Sequence, residues 1–151
     1  MRDFSKASER VQQALAMATK AHFGQKDKAG KDYILHPMTV AGTVYDMGDD
    51  YIIVALLHDV VEDTDVTIDE IEAAFGKNIA DTVSIVTHDE SDSYMDYVRK
   101  IKESGNDIAF QVKLADMKNN MDLGRQTVIT EKDIDRLEKK YIPALRYLLF
   151  G

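Results

Sequence analysis

The densest run of ionisable side chains in an apolar setting is HDVVEDT, His58 to Thr64, which follows the apolar stretch YIIVALL. On a helix, residues four apart lie one turn apart, so His58 should stand above Glu62 and Asp59 above Asp63. Three carboxylates beside one imidazole repel each other and lose hydration at the end of an apolar helix, which is costly unless a cation compensates them. A divalent metal supplies that charge. One helical turn cannot surround an ion, so further ligands must come from polar residues set in other apolar segments. His36, between Leu35 and Pro37, and Asp116, inside VKLADM, fit that description. His36, His58, Asp59 and Asp116 together offer two imidazoles and two carboxylates, a set suited to Mn²⁺, Fe²⁺ or Zn²⁺. Such an ion lowers the pKa of a bound water and polarises a phosphoryl oxygen. Glu62 and Asp63 would lie beside it, placed to orient or deprotonate that water. Asp116 has a rival reading as a buried acid bonded to backbone amides.

Other polar residues read differently. His22 falls on the apolar stripe of the first helix, which suits a hydrogen-bonded core histidine, or one supporting the ligands, better than a ligand. His88, in THDESDS, reads as a solvated loop residue. The run EKDIDRLEKK reads as a solvated helix face with charges of alternating sign, and Met38, Met47, Met95, Met117 and Met121 read as core gap-fillers. A net charge of -8 repels a polyanion, which argues against a nucleic acid polymer as partner. A small anionic substrate would need local help from a bound cation or from Lys26, Lys28 and Lys31.

These groups must be positioned by helices, because the apolar spacing is helical almost throughout. Ala7, Val11, Leu15, Ala18 and His22 predict a first helix stopping near Gly24, and Pro37 suits the first turn of a second, with His36 at its mouth. A third starts near Asp50 and runs through YIIVALLHDVV, apolar on nearly every side until His58, as a central helix would be. Thr67 with Glu70 reads as a capping box for a fourth helix ending at Gly76, and IADTVSIVT forms a fifth. A sixth runs from near Asp92 to Gly105, Asp107 caps a seventh, and Thr130 opens a last helix that Pro143 should end or kink. No segment alternates with period two. The expectation is an all-α, single-domain protein spanning residues 1–151. Without cysteine the chain has neither disulfides nor thiolate metal sites, and no apolar run approaches the roughly 20 residues that span a bilayer, so a cytoplasmic protein is expected.

The blocks AxxxAxxAHFGQ (Ala14–Gln25), AGKDYILHPMTVA (Ala29–Ala41), ALLHDVVEDT (Ala55–Thr64) and VKLADMKNN (Val112–Asn120), with the FG and VT of FGKNIADTVSIVT (Phe75–Thr87), carry a resemblance. In order and spacing the chain resembles the stand-alone HD-domain hydrolases of the RelA/SpoT type, which remove pyrophosphate from the 3′ position of the alarmones ppGpp and pppGpp. The resemblance implies a compact HD-type bundle of about seven to nine helices. It implies that His36, His58, Asp59 and Asp116 bind Mn²⁺, that Glu62 and Asp63 activate water, and that Asn120 lies near the nucleoside. The expected partner is a small nucleotide, offset in charge by Lys28, Lys31 and Lys113 or Lys118. There should be no membrane, and a homo-oligomer is allowed. This chain departs from the family pattern in two places. Met117, Lys118 and Asn119 stand where the family has an arginine and then a histidine, and the loop Asp27–Tyr33 lacks a proline and one basic position. Two alternatives therefore stay open, an HD-type hydrolase of another nucleotide or phosphorylated cofactor, and a non-catalytic nucleotide-binding sensor.

Overall fold

Ser8 accepts a hydrogen bond from the amide of Val11 and opens the first helix, α1 (Glu9–Ala21), in a computed structural model that describes residues 1–151. The helix ends before Gly24, whose φ of 84° is the left-handed conformation expected there. Then come α2 (Leu35–Thr43), α3 (Asp49–Leu57), the single turn α4 (Val60–Asp63), α5 (Ile68–Phe75), α6 (Lys77–Val86), α7 (Tyr94–Glu103), α8 (Asp107–Asn120), α9 (Glu131–Arg136) and α10 (Ile142–Phe150). The fold is all-α. Lys26 and Asp32 form an isolated bridge across the α1–α2 loop, and no strand is present. No helix is long and apolar enough to cross a membrane.

α3 is the axis of the molecule. Every residue from Ile52 to Leu57 is buried, and the helix packs against α1, α2, α6 and α8. That explains a sequence apolar all round rather than on one stripe.

The structure corrects three local expectations and decides a fourth. The third helix does not run unbroken through the ionisable segment. His58 Nδ1 donates to Ala55 O at 2.6 Å and takes a carbonyl that the helical ladder would otherwise offer to the amide of Asp59. The helix therefore breaks at His58 and Asp59 and resumes at Val60. Thr67 caps α5 through the amide of Glu70, while the reciprocal capping box forms instead at Thr130 and Asp133. Asn106 caps α8 in place of Asp107, and Ser93 caps α7. Pro143 does not end its helix but distorts it, the second of the two outcomes expected: Leu137–Tyr141 widens into a π-helical turn ahead of it and α10 continues. Proline has no amide to give the carbonyl four residues back, and a widened turn is one way a helix absorbs that loss.

Candidate metal centre

The break after α3 is what brings His58 and Asp59 together. Neighbours on a continuous helix point about 100° apart; here His58 Nε2 and Asp59 Oδ2 lie 3.1 Å from one another. From the start of α2, His36 Nε2 reaches Asp116 Oδ1 at 2.8 Å and Asp59 Oδ2 at 3.7 Å. From α8, Asp116 Oδ1 also lies 3.4 Å from His58 Nε2. Both histidines and Asp116 are buried, and Asp59 is partly so. Asp116 bonds to side chains, those of His36, Lys113 and Asn120, and not to backbone amides.

The proton positions are fixed by the outer partners. His58 Nδ1 gives its proton to Ala55 O, and His36 Nδ1 gives its own to Asn119 Oδ1 at 2.7 Å. A cation bound there would meet both Nε2 atoms through their lone pairs; each Nε2 faces carboxylate oxygens, with His36 Nε2 in hydrogen-bonding range of Asp116, and His58 Nε2 is a buried atom with no directed hydrogen bond. Carboxylates crowded against imidazoles in a buried spot demand a positive charge among them, carried by a cation or, without one, by a protonated imidazole. His36, His58 and Asp59 each offer a donor atom within 4.8 Å of the others, and Asp116 completes the group. The donor set fits a divalent cation, with nitrogen and carboxylate ligands of the kind taken by borderline and hard ions. Tyr33 OH donates to Asp59 Oδ2 at 2.6 Å and Asn120 Nδ2 to Asp116 Oδ1 at 3.0 Å, so each of these acids has a further donor on the oxygen that faces the histidines.

The same crowding sets the electrostatics. Burial opposes a charged His58, but Asp59 and Asp116 outweigh it and raise its pKa well above the ordinary value. Burial likewise opposes an ionised Asp116, yet Lys113, then His36 and His58, hold it well below the carboxylate range. Asp63 is open to solvent on one side, but partial burial, with the charges of Asp59 and Glu62, pushes it up to about 6. Glu62 Oε1 accepts from the amide of His88 at 2.8 Å, which ties the acid to the α6–α7 loop. Asp59, Glu62 and Asp63 each bring an oxygen within 4.8 Å of the others.

Two clefts meet at this centre. One, of about 230 Å³, is lined by the acids and by His88, Tyr94, Tyr97, Lys113, Lys140 and Tyr141. The other, of about 280 Å³, includes Lys26, Lys28, Asp122, Arg125, Gln126 and Arg136. Tyr33, His36, Asn120 and Tyr141 border both. Lys28 and Asn120 thus stand at the clefts, whereas Lys31 faces a neighbouring depression beyond His36, and Lys118 is exposed and borders neither cleft.

A family model described as HD domain matches residues 14–114. The chain belongs to the HD-domain family. Its HD domain is 38% identical over 124 residues to the bifunctional (p)ppGpp synthase/hydrolase SpoT of Escherichia coli K12, a match covering 75% of this chain and 18% of that protein. It is 45% identical over 82 residues to the guanosine-3′,5′-bis(diphosphate) 3′-pyrophosphohydrolase of Aquifex aeolicus, covering 53% of this chain and 12% of that one. The chain therefore spans less than a fifth of either relative. Among solved structures, a metazoan ortholog of SpoT, described as hydrolysing ppGpp and acting in starvation responses, superposes with a TM-score of 0.74 at 30% identity, covering 94% of this chain and 88% of its own. A crystal structure from Listeria monocytogenes EGD-e shares the fold, with a TM-score of 0.59 at 24% identity over 81% of this chain and 78% of its own.

Several residues around the HD pair were not legible as site residues. His88 is not a solvated loop residue: its ring stacks on Tyr97 with centroids 4.6 Å apart, and its Nε2 meets Asp92 O. EKDIDRLEKK is not wholly a solvated face, since Arg136 and Lys140 border the clefts and Lys140 Nζ sits 4.6 Å over the ring of Tyr94. A charged run gives no sequence signal for this, because the π turn decides which residue faces inward. His22 matches the core expectation, buried with Nδ1 on Gln25 Oε1 and its ring against Tyr33. Met117 is fully buried, so the residue standing where the family has arginine serves the core and not the clefts.

Proposed function

We propose that this chain is a metal-dependent pyrophosphohydrolase that removes pyrophosphate from the 3′ position of ppGpp and pppGpp, with residues 1–151 acting as one HD-type domain in the cytoplasm. The observation that carries the reading is the meeting of His36, His58, Asp59 and Asp116, from three separate stretches, beside the acids Glu62 and Asp63. The relatives' names supply the substrate. His36 and His58 through Nε2, and Asp59 and Asp116 through a carboxylate oxygen each, would hold the ion, for which Mn²⁺ is the proposal. Bound there, such an ion polarises a phosphoryl oxygen and acidifies water.

The remaining work falls to the chain. A carboxylate oxygen of Asp63 takes the proton of the attacking water as its oxygen bonds to the phosphorus next to the 3′ oxygen. Glu62, held by the His88 amide, orients that water with its second oxygen. The bond from phosphorus to the 3′ oxygen breaks, a proton returns to that oxygen, and pyrophosphate leaves. Lys140 gives the first cleft a cation facing the transferred phosphates, backed by the buried charge of Lys113, and Lys28 and Asn120 border the polar cleft proposed for the nucleoside. Lys31 contributes at longer range.

Incubation of purified, Mn²⁺-loaded protein with ppGpp should release pyrophosphate and GDP, and no release would exclude this substrate. A second reading, hydrolysis of another phosphorylated nucleotide, is favoured by one feature. Lys26 is engaged by Asp32, a residue standing where the family loop has proline, so one basic group of the nucleoside cleft is neutralised. Equal turnover of adenine and guanine forms would support that reading over the first.

A further inference from the structure

Lys113 is the only buried lysine or arginine of the chain, with 5% of its surface exposed. Its Nζ donates to Asp116 Oδ2 at 2.8 Å, on the side of the carboxylate away from the histidines, which meet Oδ1. The two residues lie three apart on α8, so the helix itself sets their spacing. The ammonium also rests over the rings of Tyr97 and Tyr94, 4.7 and 5.0 Å from their centroids. Tyr97 is pinned in turn by its hydroxyl, which donates to Val86 O at 2.6 Å.

Burying an ammonium is unfavourable even when it is paired, and an apolar side chain of similar volume often serves stability as well or better. Stability alone therefore gives no reason for a lysine here. A carboxylate gripped through one oxygen and presented through the other is, by contrast, what an ordered ligand requires. Lys113 also counters the repulsion among Asp59, Glu62, Asp63 and Asp116 before any anion arrives. We propose that Lys113 is a positioning residue, whose bond to Asp116 Oδ2 keeps Oδ1 turned toward His36 and His58 and so presents it to the cation. This inference rests on the metal centre proposed above.

The test is Mn²⁺ titration calorimetry on chelator-stripped protein, with helical circular dichroism as the folding control. Lys113→Met should weaken Mn²⁺ binding by about 10- to 100-fold, and Lys113→Arg, which keeps a charged donor, should recover most of the loss. In an Asp116→Asn background, adding Lys113→Met should change the affinity by less than about twofold, because the residue it acts through is already altered. Wild-type affinity in Lys113→Met, or the same loss in both backgrounds, overturns the positioning role. If Lys113→Met does not fold, Lys113→Gln takes its place with the same two expectations. A wild-type protein that binds no Mn²⁺ overturns the metal centre and this role together, whereas tight wild-type binding with insensitive variants overturns this role alone.

Discussion

Asp63 stands one helical turn beyond Asp59, joined to it by the bond from its amide to Asp59 O at 3.0 Å, and its carboxylate, unlike that of Glu62, is free of any hydrogen-bond partner. Asp63→Asn keeps the shape and removes the proton acceptor. Turnover by a metal-loaded sample should fall about 10²- to 10⁴-fold while Mn²⁺ affinity stays near wild type; retained turnover would remove Asp63 from the mechanism. Tyr33 makes the complementary case. Its hydroxyl donates to Asp59 Oδ2, the oxygen that faces His36 and His58, and Tyr33→Phe should lower Mn²⁺ affinity by about tenfold with little loss of stability. At this scale the sequence was informative where chemistry is local. HDVVEDT announced itself by crowding, and His36 and Asp116 by being ionisable in apolar company. His88 did not, and Lys113 stood out only as a charge for the substrate and not as a buried partner of Asp116, because a lysine on a helix and a histidine in a polar loop look solvated until Tyr94 and Tyr97 are brought over them by the fold.

The helices were legible as elements, and their breaks were not. α1, α2, α5 and α6 follow from apolar spacing and the residues that stop them, all of which lie within a few positions of one another in sequence. The break between α3 and α4 depends on a histidine ring turning back onto the carbonyl of Ala55, and the π turn before α10 depends on where a missing proline amide is accommodated. Both decide which side chains enter the clefts. α8 carries Asp116, and its cap Asn106 bonds both the amide of Ala109 and the hydroxyl of Thr82 on α6. Asn106→Ala should cost about 1–2 kcal/mol in chemical denaturation and leave Mn²⁺ affinity unchanged. A large loss of metal binding would mean that the N-terminus of α8 helps to set the site. In the centre of the molecule, Leu57 is fully buried one residue before the HD pair. Leu57→Ala should destabilise by about 2–5 kcal/mol through the cavity it leaves.

For the whole molecule, the centre joins α2, the α3–α4 break and α8, elements that otherwise meet only through the core. An ion bound there ties three distant stretches in the folded state and none in the unfolded one. Mn²⁺ at about 100 times its dissociation constant should therefore stabilise the fold by about 2.7 kcal/mol, read as a rise in melting temperature that a chelator reverses. The all-α architecture follows from the pattern of apolar residues alone. How the end of α9 and the π turn after it come to border the clefts does not, because it rests on packing between residues far apart in the chain. The central claim is that four side chains share one divalent cation, and anomalous diffraction from crystals grown with Mn²⁺ tests it most directly. The expected result is a single strong peak bonded by His36 Nε2, His58 Nε2 and one oxygen each of Asp59 and Asp116; no peak among these four, with Mn²⁺ present in the crystal, would contradict it.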